Sequence, residues 1–377
     1  MIHHYPRNIF LHFSFIKNKK ILGLFISMAL NTFFLSMIGL FVPIYLIKEI
    51  GFSFDAAMYY LIMTSLSITI SFILLRKIIA KFGLNKIAIL SVPVRIIYIL
   101  MLNGLKSYPI PLTLIAIIGG FGASMYWLPY HKRFAESSDH DKRGSELGVR
   151  FALSGFFTIA GPALGGFIAT FFGFTMLYSI CGIILFLSII PLFMLKDEHF
   201  SKDFKIINIL KGRSYKEVLT YFSEGYRLGA SSLWPIFIFL ILGSYITLGG
   251  IFSAVALFES VFQLFAGYLA DIINKDNLLK IGTLIDSITW IARIFLSSVY
   301  SIFIATTVSG LAISTWYVPF ASKYYDKVSE TDGVEFILFR ELGLTLGKIL
   351  IYLTAMIFGL KFSLVSCSVV MFMLWLY

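Results

Sequence analysis

Acidic residues are scarce in this 377-residue chain: 20 Asp and Glu stand against 31 Lys and Arg, and charged residues make up only 14% of the total. A soluble domain carries roughly 25%. Cysteine is nearly absent. Cys181 and Cys367 are the only two, and both sit in apolar runs, which leaves no redox pair and no zinc-ligand spacing. The six histidines, His3, His4, His12, His131, His140 and His199, fall near the N-terminus or between apolar runs, and none is expected inside a span with a partner. The chain has no Gly-x-x-x-x-Gly-Lys-Ser/Thr loop, no His-Glu-x-x-His helix and no Gly-x-Ser-x-Gly turn. P-loop nucleotide hydrolysis, zinc proteolysis and serine-hydrolase chemistry therefore lack their usual groups. No catalytic residue, metal or cofactor is expected.

Hydrophobic residues dominate instead, at 58%, with 39 Phe and 20 Tyr. Spread over the whole length, they would expose far too much apolar surface to water, so the expected solvent is a lipid bilayer. The first apolar run, from Ile21 to about Leu46, is too long for a cleaved signal segment. A bilayer core takes about 20 apolar residues per helix. On that measure the chain offers twelve spans: 21–46, 55–75, 85–104, 109–130, 146–171, 174–195, 222–242, 246–270, 278–299, 301–321, 334–358 and 361–377.

The net charge of +11 could suggest nucleic acid, but its distribution argues against that partner. Basic residues cluster ahead of the first span (Arg7, Lys17, Lys19, Lys20) and in every even-numbered loop. Examples are Arg76, Lys77, Lys81 and Lys86 after the second span and Lys132, Arg133, Lys142 and Arg143 after the fourth. The odd-numbered loops hold only Lys48, Lys106 and Lys361. This alternation places both termini in the cytoplasm of a cell whose inner or plasma membrane holds the chain. It also supports the span count, because one missed helix would invert everything after it. The longest polar stretch follows the sixth span. The expected division is a cytoplasmic N-terminus (1–20), a six-helix half (21–195), a cytoplasmic linker (196–221) and a second six-helix half (222–377). Within the linker, the stretch from Ser214 to Phe222 reads as a short interfacial helix or as plain solvated chain.

The two halves repeat. Gly120, Ser124, Pro129 and Arg150 recur 190 residues later as Gly310, Ser314, Pro319 and Arg340, and Pro43 matches Pro235 at 192. Six spans per half is an even number, so the halves enter the membrane in the same orientation: parallel repeats about an axis along the membrane normal.

The stretch Gly267-Tyr-Leu-Ala-Asp271 after the eighth span and the run Gly161-Pro162-Ala-Leu-Gly165-Gly166 in the fifth resemble motifs of the major facilitator superfamily. The resemblance covers nearly the whole chain. It implies an all-α, twelve-helix transporter in two parallel six-helix halves, working as a monomer on a small-molecule substrate, with protons as the default coupling ion. It makes Gly267 and Asp271 a latch between helices. A first-half copy keeps Lys81, Gly83 and Lys86 but has Arg76 and Ala80 where the motif has Gly and Asp. The Gly161–Gly166 run resembles an antiporter motif and favours efflux over uptake; a tight helix contact with no bearing on direction is the alternative. The family's exporters often carry an arginine before the glycines of the fourth span. Here Gly119, Gly120 and Gly122 occur without it. By the same resemblance the first, fourth, seventh and tenth spans line a central cavity, making Asn31, Tyr126, Trp127, Trp316 and Tyr317 its candidate walls. An interfacial aromatic belt is the competing reading.

Ionisable residues inside a bilayer are costly and call for a reason. The candidates are Arg95, Arg150, Glu259, Asp286, Arg293, Arg340, Glu341 and Lys348. Glu259 lies twelve residues before Asp271, about 18 Å along a helix. That puts it near the midplane, as a proton carrier or as the partner of Arg293 or Arg95. Arg150 and Arg340 are expected to snorkel or to pair with cytoplasmic acids such as Glu136, Glu146, Asp326 or Glu335, with anion binding by the two arginines as the alternative. The rival readings are facilitated or proton-coupled uptake of a sugar or metabolite, and a lipid scramblase or membrane enzyme reusing the fold.

Overall fold

A computed structural model describes residues 19–137, 143–194, 213–330 and 333–377. No strand occurs among them. The helices are α1 (Lys19–Ile38), α2 (Val42–Lys48), α3 (Phe54–Phe82), α4 (Leu84–Gly104), α5 (Leu112–Ser137), α6 (Arg143–Phe171) and α7 (Gly173–Leu187). They continue as α8 (Tyr215–Leu242), α9 (Tyr245–Ile272), α10 (Lys275–Ala292), α11 (Val299–Glu330), α12 (Gly333–Phe358) and α13 (Leu360–Val370). Ten helical segments are individually long and apolar enough to cross a bilayer. The remaining two crossings are α10, which carries Asp286, Thr283 and Ser287 on its buried side, and the short α13.

The expected spans correspond to this order, with differences at proline, glycine and caps. The first span is two helices. Pro43 stands at the start of α2, where its missing N–H is an orphan donor anyway, and the chain turns through Gly39 to Phe41. The sixth and twelfth spans end in 3₁₀ turns, Ile190–Met194 and Met371–Leu376, the first of them carrying Pro191. The seventh span begins earlier than expected. Ser214 and Glu217 form a reciprocal capping box, Glu217 N–H donating to Ser214 Oγ and Ser214 N–H to the Glu217 carboxylate, each at 3.2 Å. The stretch read as interfacial helix or linker is thus the first turns of α8. Most of the linker, and the loop around Asp139, lie outside the described residues. A single residue, Gly83 at φ +90°, joins α3 to α4, a conformation that a Cβ would strain.

The helices show lipid-adapted surfaces. Ile70, Leu74, Leu100, Phe156, Phe193 and Ile304 are exposed, while serines, threonines and charged groups turn inward. The repeat is visible in side-chain contacts. Ser124 Oγ donates to Gly120 O at 2.8 Å, and its partner Ser314 to Gly310 O at 3.0 Å.

Two seams join the halves: α6 against α9 and α3 against α12. Both use small residues, which let helix backbones approach closely. At the first seam a Cβ on Gly249 would fall 2.1 Å from Pro162 O, and one on Gly166 would fall 2.4 Å from Tyr245 O. Pro162 disturbs the local helix, and the Ala163 N–H donates across the seam to Ser253 Oγ at 2.8 Å. At the second seam Thr69 and Thr345 share a hydroxyl hydrogen bond of 2.6 Å.

Candidate functional site

The buried charges gather at two levels of the second half. Asp286 on α10 is fully buried. Its Oδ2 accepts from Arg227 Nε at 2.9 Å and Trp316 Nε1 at 3.3 Å, and its Oδ1 from Ser309 at 2.7 Å and Thr289 at 3.3 Å. The Arg227 guanidinium lies 5.4 Å from the Trp316 ring centroid. Nearer the end that carries the N-terminus, Arg340 of α12 grips Glu224 of α8 with two N–H groups, Nε to Oε2 at 2.9 Å and Nη2 to Oε1. A two-point grip of this kind suits a planar guanidinium.

This corrects the expectation for Arg340, whose acid is Glu224 on a neighbouring helix and none of Glu136, Glu146, Asp326 or Glu335. Glu224 and Arg227 were missed in the sequence although both fall inside the seventh span. A signal was there: an acid and a base three residues apart lie on neighbouring positions of one helix face. They do not pair with each other but reach outward to α12 and α10. Arg150 and Asp271 belong to α6 and α9, but their side chains lie outside the described residues.

The first half carries a reduced version of the same arrangement. Arg95, at the middle of α4 and 3% exposed, donates through Nη1 to Asn31 Oδ1 on α1. Its guanidinium lies 4.6 Å from the Phe34 ring and 5.6 Å from the Tyr126 ring. Tyr126 and Trp316 are repeat partners, so each half holds a guanidinium over the same aromatic position. In the first half the arginine comes from α4; in the second it comes from α8, and α10 supplies the acid. Gly122 makes the first arrangement possible, since a Cβ there would fall 2.7 Å from Arg95 Cγ. An unneutralised charge at this depth costs at least about 2.5–3.5 kcal/mol on insertion scales.

Glu259 on α9 is half-buried and makes no hydrogen bond or ion pair among the described residues. Neither Arg293 nor Arg95 pairs with it. Its carboxylate lies against Gly310 of α11, where a Cβ would sit 2.3 Å from Oε1, with Arg227, Asp286 and Arg293 within electrostatic reach. By the 192-residue offset its counterpart is Ser67, which packs against Gly120 in the same way. Arg293 is buried with its guanidinium 3.8 Å from the Trp290 ring and 4.7 Å from the Trp234 ring. Glu341, also buried, has Lys348 and Arg340 within electrostatic reach as charges of opposite sign.

Tyr126 and Trp316 are buried under the guanidinium groups. Trp127 and Tyr317 are half-buried. Trp127 stacks on His131, 5.7 Å between ring centroids. His131 itself corrects an expectation: it falls inside α5, and its Nδ1 bonds Tyr325 Oη of α11 at 2.7 Å, joining the halves toward the N-terminal end. At the opposite end Tyr245 of α9 donates to Glu49, beside α2, at 2.9 Å. Gly161 and Gly165 pack on α1, against Ser36 and Met37, while Gly166 packs on α9. Gly267 is buried in the last turns of α9, and Lys81 is exposed at the end of α3.

The chain is 25% identical over 354 residues to the uncharacterized protein YqgE of Bacillus subtilis (strain 168), covering 88% of this chain and 81% of that one. Its fold is similar to the crystal structure of the human organic anion transporter MFSD10 (TETRAN), with a TM-score of 0.66 at 12% identity, covering 96% of this chain and 99% of that one. The sequence profile of the Major Facilitator Superfamily matches residues 24–224, more than half of the chain. Together with twelve crossings in two repeats, this makes the protein a multi-pass membrane member of the major facilitator superfamily of transporters.

Proposed function

We propose that the protein is a secondary active transporter that moves a small organic solute outward by alternating access, with Glu259 as the proton-carrying group. One observation carries the coupling: among the described residues Glu259 is a half-buried carboxylate on a seam helix with no hydrogen bond or ion pair, and it lies within electrostatic reach of Arg227, Asp286 and Arg293. When charged, it attracts the two guanidinium groups. When protonated, it no longer does, and the packing of α9 on α11 changes with it. A ligand or proton can shift such an equilibrium only through a difference of this kind between states. Residues 21–195 and 222–377 are then the two rocking halves, 196–221 their cytoplasmic linker, and both termini are cytoplasmic. The Gly161–Gly166 contacts on α1 and α9 support a closed seam, and the likeness of that run to an antiporter motif favours the outward direction. The likeness to a protein named as an organic anion transporter favours an organic solute over a sugar.

Reconstitution in proteoliposomes tests the reading, using a panel of organic anions, cations and neutral solutes with and without a pH gradient. Glu259→Gln should abolish the dependence on the gradient and slow accumulation at least tenfold while leaving downhill exchange. Unchanged pH dependence in that variant removes Glu259 from the mechanism. Lipid exchange between leaflets without solute movement would favour the scramblase reading.

A further inference from the structure

We propose that Arg95 and Asn31 form the docking point for an anionic group of the transported solute, so that the solute is an organic anion; the inference rests on the transporter reading. The argument is one of charge and unmet hydrogen bonds. Among the described residues, four buried charges of the second half have an opposite charge in reach: Arg227 has Asp286, Arg340 has Glu224, Arg293 has Glu259 and Asp286, and Glu341 has Lys348. Arg95 has none. The groups around it are Asn31, Phe34, Tyr98 and Tyr126, all uncharged.

Its donors are also unspent. Among the described residues the guanidinium makes one hydrogen bond, from Nη1 to Asn31 Oδ1. The Asn31 Nδ2 amide, fully buried, has no acceptor among the described residues. Two adjacent donor groups from α1 and α4, one of them cationic, face no carboxylate. The second half shows what completes such a site. There the guanidinium over the repeat-related aromatic, Trp316, is matched by Asp286, which satisfies it together with three further donors. The first half has the cation and the aromatic but lacks the acid, and a carboxylate, sulfonate or similar oxyanion on the solute would take its place. Phe34 and Tyr126 flank the position and suit an anion attached to a ring. Both polar groups are buried, and the groups around Arg95 belong to α1, α4 and α5 of the first half, so the solute reaches them when α1 moves away from α4 and α5.

The test uses purified protein titrated calorimetrically with four probes of one shape: 2-naphthoate, 2-naphthalenesulfonate, the neutral 2-naphthamide and the cationic 2-naphthylmethylammonium. The expected result is binding of both anions, with the amide and the cation at least tenfold weaker. Arg95→Gln should lose at least tenfold in naphthoate affinity, Arg95→Lys should recover part of it, and Asn31→Ala should fall between. The melting temperature of Arg95→Gln should be unchanged or raised, because an uncompensated buried charge has gone. A purely structural arginine would instead lower it and leave probe selectivity intact. The proposal is overturned if neither anion binds the wild type, if amide and anion bind equally, or if Arg95→Gln keeps wild-type affinity. Anion binding that depends on Arg95 without any movement in proteoliposomes would remove the transporter reading and leave the site. Transport of cations or neutral solutes by wild type and Arg95→Gln alike would do the reverse.

Discussion

Asp286 accepts from four side chains, and Arg227 is the only cation among them. Removing the arginine alone would leave a buried carboxylate without its counter-charge, a loss of about 3–5 kcal/mol for a buried pair. Arg227→Met should therefore lower the thermal midpoint in detergent sharply, and Arg227→Met with Asp286→Asn should recover much of it. A midpoint unchanged in the single variant would mean that the pair is not formed. The same reasoning explains what could be read at this scale. Membrane depth marked Arg95, Glu259, Asp286, Arg293, Arg340 and Glu341 as unusual. It could not assign partners, because Arg340 meets Glu224 across 116 positions of sequence and Arg227 meets Asp286 across 59. Glu224 and Arg227, both inside the seventh span, have their partners on α12 and α10, and only the packing of α8 on those helices names them.

At the level of the helix, α6 and α9 illustrate how a motif acquires meaning from its neighbour. The run Gly161-Pro162-Ala-Leu-Gly165-Gly166 announces a helix that can be approached closely. The structure shows two neighbours using it, α1 at Gly161 and Gly165 and α9 at Gly166 and Pro162. Gly249 supplies the opposing surface, and the adjacent Gly250 meets nothing within 4 Å. Gly249→Leu should force the seam apart, costing about 1–3 kcal/mol as an overpacked contact, with transport reduced at least tenfold. Gly250→Leu, one position along the same helix, should be close to silent in both thermal midpoint and transport. Equal effects of the two would show that the seam does not close at Gly249. The capping box at Ser214 and Glu217 was also written in the sequence as Ser-x-x-Glu. The charged residues on either side of it give the same stretch the composition of a linker.

Across the whole molecule, alternating access requires the seams to open in turn. Thr69 and Thr345 are close enough, 2.6 Å between hydroxyls, for cysteines in their places to form a disulfide. In a background with Cys181 and Cys367 replaced by serine, Thr69→Cys with Thr345→Cys should block transport under oxidation and regain it with reductant. Full transport with the bond formed would rule out rocking at that seam. The number of crossings, their parallel repeat and the family were legible in the sequence. Apolar length, periodic charge and the 190-residue offset are local or additive properties that each segment carries by itself. Which carboxylate meets which guanidinium, the seating of His131 against Tyr325 and the lack, among the described residues, of an acid beside Arg95 were decided only by tertiary structure. They depend on helix rotation and on contacts between residues far apart in the chain, and the hydrophobic effect that places a helix in a bilayer does not specify the angle at which it faces its neighbours.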